Sequence, residues 1–202
     1  MENLLYLCGD VKTAPVPSHE SHGVAFCTFP LAVERLSGTV DTLNVIAPEV
    51  MCRRVEADMR LRLFGQIRSY NSRSPEGSRL QISAWAKSLE ESADDCDNRV
   101  TLEGVLCKPP SYRCTPYGRE ITDIMLRVER ALPPGARRTG GPRCDYIPCV
   151  TWGSVARLCA GLDPGTAVRF EGRLQSRAYT KTVDGAAQLR VAYEVSVSQC
   201  LL

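Results

Sequence analysis

Apolar and polar residues alternate in short runs along most of this chain, and helical spacing appears in only two places. In the second half, Val100–Leu106 (VTLEGVL) alternates with period two, as does Ile121–Val128. Tyr146–Trp152 forms a third run rich in β-branched and aromatic residues. Ser154–Leu162 (SVARLCAGL) then sets Val155, Leu158, Cys159 and Leu162 at helical spacing, and Asp163-Pro164-Gly165 stops it. Alternation resumes over Val168–Leu174, with Gly172 inside, as expected of a bulge or a barrel bend. Asp184-Gly185 reads as a hairpin turn before the last strand, Leu189–Val197. The first half predicts the same order: strands over Leu4–Val11, Val24–Val33 and Val40–Ala47, a helix over Glu49–Glu56, then strands over Met59–Ser69 and Arg79–Leu89.

The two halves are a repeat. A shift of 95 residues lays Asn3 on Asn98, Leu7 on Leu102, Gly9 on Gly104, Pro15 on Pro110 and Gly23 on Gly118. It also lays Leu31–Arg35 (LAVER) on Leu126–Arg130 (LRVER). A shift of 104 aligns Asp41 with Asp145 and Arg53 with Arg157; a shift of 107 aligns Arg62 with Arg169, Gly65 with Gly172 and Ser69 with Ser176. The growing offset fits loop insertions. Three strands, a helix and two strands are the order of an OB barrel. The fold class expected is therefore all-β with one short helix per repeat, as two tandem OB-fold five-stranded β-barrels. The division runs 1–90 for the first domain, 91–97 (ESADDCD) for an acidic linker, and 98–202 for the second.

Charge separates the halves. Residues 1–96 hold 10 Lys/Arg against 13 Asp/Glu, a net −3, and residues 97–202 hold 15 against 10, a net +5. The second half is the one suited to a polyanion. The ten cysteines include no CxxC pair and many sit among apolar neighbours, so reduced, mostly buried thiols are expected. His19, His22 and Cys27 lack a fourth ligand at a sensible spacing for zinc, and no metal or other cofactor is expected. Neither a phosphate-cradling GxxxxGK loop nor HExxH or GxSxG is present, and both histidines fall in an expected loop, so an enzyme is not expected. No apolar run reaches the ~18 residues of a membrane span, and Met1–Val11 is a poor signal peptide, which points to the cytoplasm without membrane contact.

Four stretches in the second half, NRVTLEGVLCKPP (98–110), PYGREITDIMLRVER (116–130), DYIPCVTWGSVAR (145–157) and VRFEGRLQSRAYTK (168–181), resemble the bacterial single-stranded DNA-binding protein family and its relative, primosomal replication protein N. The first half resembles that family more weakly, through 21–47 and 61–69. The resemblance implies non-catalytic binding of single-stranded DNA in replication, repair or recombination, without strong sequence preference. It also implies bases stacking at Tyr146, at Trp152, and at Tyr179 in the loop after the fourth strand. The residues support this independently, because single strands are held by aromatic faces beside a basic groove. The basic complement is Arg113, Arg119, Arg157, Arg173, Arg177 and Lys181. Arg177 and Lys181 flank Tyr179 at i−2 and i+2, which places all three on one face of an extended chain. Tyr112 and Tyr117 flank the first hairpin loop, and Arg137, Arg138 and Arg143 in PPGARRTGGPR are candidates for a phosphate clamp.

Carried to the first repeat, the three aromatic positions fall on Thr42, Pro48 and Ser72. Arg62, Arg68, Arg73 and Arg79 persist there, with Tyr70 and Trp85 as candidate substitutes. The first domain is therefore expected to bind weakly or to serve assembly. In the family, OB barrels pair along their first strands; two barrels in one chain would imitate that pair, and two chains would form a four-barrel homodimer. The C-terminus, VSVSQCLL, lacks the family's acidic recruiting tail, so tail-mediated recruitment is not expected; an accessory or primosome-like member is expected over the principal housekeeping protein, with replication or primosome proteins as candidate partners. The rival readings are a protein-docking scaffold for primosome assembly and a binder of single-stranded RNA.

Overall fold

The computed structural model describes the backbone of residues 1–74, 77–93, 98–131, 140–183 and 186–202; the side chains of 73–79, 181 and 183–186 also lie outside the described residues. The first half contains β1 (Asn3–Val11), β2 (Val16–Ser21), β3 (Val24–Glu34), β4 (Val40–Pro48), α1 (Glu49–Cys52), β5 (Arg60–Ser74) and β6 (Gly77–Glu91). The second contains β7 (Arg99–Leu106), β8 (Ser111–Cys114), β9 (Glu120–Glu129), β10 (Cys144–Trp152), α2 (Gly153–Ala160), β11 (Ala167–Val183) and β12 (Ala186–Leu201).

Each half closes on itself. In the first, β1 pairs with β5 and β3, β3 with β4, β4 in parallel with β6, and β6 with β5. In the second, β7 pairs with β11 and β9, β9 with β10, β10 in parallel with β12, and β12 with β11. These are two five-stranded OB barrels with the expected place for the helix. Alternate residues fill the interiors: Leu5, Phe29, Leu43 and Leu63 in one, Leu102, Leu126, Ile147 and Phe170 in the other. Burial of such side chains drives closure at about 1.5–3 kcal/mol each.

The bends depend on two glycines. The β5–β6 register shifts between Phe64 and Gly65, and the β11–β12 register shifts between Glu171 and Gly172. A Cβ at either glycine would lie 2.1 Å from a backbone oxygen, that of Trp85 or of Ser196, so no other residue fits without moving a strand.

Three features depart from the sequence expectation. First, β2 and β8 occupy segments expected as loops, and His19 therefore stands on a strand rather than in a loop. Second, α1 ends at Cys52, not at Glu56. Its only buried residue is Cys52, and Pro48 makes no side-chain cap. So little apolar anchoring sustains one turn and no more. Third, both long hairpins run past their expected strand ends, because polar residues with no apolar period still pair their backbones. Tyr179 consequently lies within strand β11, opposite Arg190, and not in a loop.

The barrels join through their first strands. Asn3, Leu4, Leu5 and Tyr6 pair with Leu102, Thr101, Val100 and Arg99, which links all twelve strands into one hydrogen-bonded sheet. A reciprocal clasp reinforces this junction. Arg35 grips Asp41 through two hydrogen bonds of 2.6 and 2.7 Å, and Asp41 accepts from the Ser176 amide at 2.7 Å and its hydroxyl at 2.8 Å in the other barrel. Arg130 grips Asp145 in the same way, and Asp145 accepts from the Ser69 amide at 2.7 Å and from Arg68 at 3.0 Å. Both carboxylates are fully buried. Burial alone would raise the Asp41 pKa; the hydrogen bonds from Arg35 and Ser176 outweigh it and hold the group below its ordinary value.

Five of the nine described cysteines are buried, namely Cys8, Cys27, Cys52, Cys149 and Cys159, and all nine are free thiols. Burial pushes Cys52 up to about 11 and Cys159 up to about 12, so both stay protonated and inert near neutrality. Among the described residues no helix is long and apolar enough to cross a membrane, and no group of three or more His, Cys, Asp or Glu side chains is placed to hold a metal.

Candidate nucleic-acid interface

Alternation along β10 decides where its aromatics point. Ile147, Cys149 and Thr151 face inward, so Tyr146, Pro148, Val150 and Trp152 face outward. Tyr146 and Trp152 remain 44% and 41% exposed, large aromatic surfaces that the barrel leaves open. They lie six residues, about 20 Å, apart on one strand.

Pairing spreads this outer face across the neighbouring strands. Val150 lies between Ser196 of β12 and Asp123 of β9; beyond these come Arg173 of β11 and Ser111 of β8. Trp152 faces Ile121, which in turn faces Arg113. Glu120 ties the region together. It accepts from the Tyr112 hydroxyl at 2.8 Å and pairs with Arg157 of α2. That hydrogen bond raises the Tyr112 pKa, keeping the phenol neutral. Arg113 pairs with Asp123 at 2.9 Å on the open surface, where such a pair is weak and readily exchanged for a phosphate. Tyr112, Glu120 and Arg157 thus form one bonded group, while Trp152, Ile121 and Arg113 follow one another across β10, β9 and β8 on the outer face.

The remaining candidates are more dispersed. Tyr117 and Arg119 sit at the exposed tip of the β8–β9 hairpin, closed by Gly118 at φ +75° and by the Arg119 amide on Thr115 Oγ1. Tyr179 is half-buried on the long β11–β12 hairpin, with the Arg177 guanidinium 5.8 Å from its ring centre. Arg177 also pairs with the buried Glu194 at 3.4 Å. Arg173 shares the parity of Arg177 but opens into a cleft of about 630 Å³ between the barrels, where Arg35, Arg60 and Arg99 also lie. Lys181 pairs with Gln188 through its backbone, and its side chain lies outside the described residues. So do Arg137 and Arg138, and the side chains of Arg73 and Arg79. Arg143 is exposed, and its carbonyl accepts from the Arg130 amide at 2.8 Å.

One residue escaped the sequence reading. Arg127 lies directly opposite Tyr146 on β9, on the outer face that it shares with Asp123 and Met125. Its parity within Ile121–Val128 was a usable signal, but its proximity to Tyr146 needed the strand register.

Comparison with known proteins converges on this half. The model of the Single-strand binding protein family matches residues 97–201. Single-stranded DNA-binding protein A of Bacillus subtilis is 39% identical over 83 residues, which are 41% of this chain and 46% of that protein. Single-stranded DNA-binding protein of Bacillus cereus is 40% identical over 83 residues, 41% of this chain and 47% of that protein. The chain thus spans just under half the length of these curated relatives. The wild-type single-stranded DNA binding protein from Thermus aquaticus shares the fold across both barrels: TM-score 0.76 at 18% identity, covering 99% of this chain and 92% of that one.

Proposed function

The chain belongs to the single-strand binding protein family, and from that premise we propose that it binds single-stranded DNA without strong sequence preference, as a non-catalytic protein of DNA replication, repair or recombination. The second barrel is the main binding domain. The observation that carries this is the pair of open aromatics on the outer face of β10, Tyr146 and Trp152, with Arg127 opposite one and Arg113 across β9 from the other. Each stack contributes about 1–3 kcal/mol whatever the base, and the arginines neutralise the backbone between stacks.

The division at 91–97, of which Glu91 still closes β6, gives each barrel its own strand set, and the clasped junction presents both as one body to the strand. Two chains associate into a four-barrel homodimer. Light scattering tests this: twice the 22.2 kDa of the chain supports it, and a single chain's mass contradicts it.

The functional test is a titration with fluorescent oligo-dT, oligo-U and duplex DNA at low and moderate salt. Tight binding to single strands, much weaker binding to duplex, and a log–log salt slope of about −0.7 per phosphate contacted are expected. The ratio of dT to U reports DNA over RNA preference. No binding at low salt would overturn the proposal.

A further inference from the structure

We propose that the first barrel carries a second strand-binding site, a base-stacking platform built from His19, Phe26 and Trp85; the proposal rests on the single-strand-binding reading above. The three rings form a contiguous group. His19 stacks on Phe26 at 5.0 Å between centroids and 11° between planes, and Phe26 meets Trp85 at 4.7 Å. His19 and Trp85 lie 6.2 Å apart.

These rings are on the outside of the barrel. The interior set takes Cys27, Phe29 and Leu31 from β3, and Ile82, Ala84 and Ala86 from β6. Phe26 and Trp85 have the opposite parity and are absent from that set. Phe26 is buried by what lies on the outer face, not by the core. His19 is exposed and Trp85 half-buried, so a ring surface remains open to a ligand.

The position matches the aromatic face of the second barrel. Phe26 corresponds to Ile121 and Ile46 to Val150 by the repeat offsets, and all four are buried outward-facing residues. In the second barrel Trp152 lies beside this apolar floor, paired with Ile121. In the first, Pro48 takes the place of Trp152, and Trp85 reaches the same floor from β6, paired with Ile46. The indole has moved to the neighbouring strand. Transfer of positions along the sequence therefore missed it. The face continues along β5, where Gln66, Arg68 and Tyr70 lie opposite Trp85, Ser83 and Gln81. Tyr70 is 50% exposed. Arg68 is engaged with Asp145 and Gln66, so the rings alone offer the open surface; the sequence tolerance of stacking makes the ligand an unpaired base of the same strand.

The chain holds two tryptophans, one in each barrel, which supplies the test. Trp152→Phe keeps a ring in the second barrel and leaves Trp85 as the sole indole emitter. A labelled oligo-dT of about 40 nucleotides exceeds what two barrels cover at 4–16 nucleotides each. Its anisotropy reports binding while Trp85 emission reports stacking. Emission is expected to fall in step with anisotropy. In the otherwise native chain, Trp85→Ala is expected to weaken the long oligomer about tenfold and one of about 8 nucleotides by less than about twofold. His19→Ala, at an exposed position, tests the same face should Trp85→Ala fail to fold. If anisotropy saturates while Trp85 emission holds constant, the platform is wrong and the second-barrel function stands. If the native chain binds no strand at all, both readings fall. If Trp85→Ala alters the mass by light scattering but not strand affinity, the rings are a protein contact and the proposal is overturned.

Discussion

The two barrels share topology, register shifts and junction, yet they present different outer faces. The second leaves Tyr146 and Trp152 open on β10, with Arg127 of β9 and Arg113 of β8 on the same outer face. The first places Thr42 and Pro48 at those positions and carries its aromatics on β1, β2, β3, β5 and β6. What both retain is architecture: Gly65 and Gly172 at the bulges, Asn3 and Asn98 bonding the backbones of Ile67 and Leu174, and the two Arg–Asp clasps. Residues that hold backbone to backbone have survived duplication, and residues that face solvent have diverged. Fold and junction are thus common property, whereas the outer faces, on which the proposal places binding, differ.

The largest expected effect tests the shared part. Asp145→Ala strands Arg130 and Arg68, both largely covered, and should cost about 3–5 kcal/mol in urea unfolding. Asp41→Ala strands Arg35 alone and should cost less; the reverse order would break the picture of a clasp with one reinforced arm.

Next comes the unequal part. Trp152→Ala should weaken oligo-dT binding by about 1–3 kcal/mol, and Tyr146→Ala by a similar amount. Tyr70→Ala should cost less than either, read by the same anisotropy titration. A larger loss from Tyr70→Ala would reverse the assignment of labour between the barrels.

Arg127→Gln sharpens the comparison at one position. If Arg127 meets a phosphate beside Tyr146, the salt slope becomes shallower by about 0.7. An unchanged slope would leave Arg127 a structural neighbour only.

The smallest effect is in acid. The folded pKa of Asp41 is lowered, so its contribution to stability is complete above the unfolded value of about 3.9 and is lost as pH falls through the folded one. Thermal unfolding should therefore show Asp41→Asn losing less stability than the native chain as pH is lowered through that window. Parallel curves would mean that the clasp does not depend on the charge.

Much of this was legible before any coordinates. Period-two alternation located the principal strands because an OB barrel buries one side of each, and Gly172 inside such a run marked its bulge. The tips of the long hairpins were not legible, since polar residues pair there with no apolar face to betray them; Tyr179 was misplaced for that reason. The repeat offsets paired Asp41 with Asp145 and Ser69 with Ser176, but not the crossing by which each carboxylate holds the other barrel's serine. The same limit hid Arg127 and the shift of an indole from β4 to β6, because both are facts of cross-strand register.

The proposed unequal distribution of binding is tested most directly by photocrosslinking. An oligo-dT of about 8 nucleotides, short enough for one barrel, is crosslinked to the native chain at substoichiometric concentration, and the modified peptides are mapped. The account predicts crosslinks within 98–202, centred on Tyr146 and Trp152. Crosslinks confined to the first barrel would contradict it.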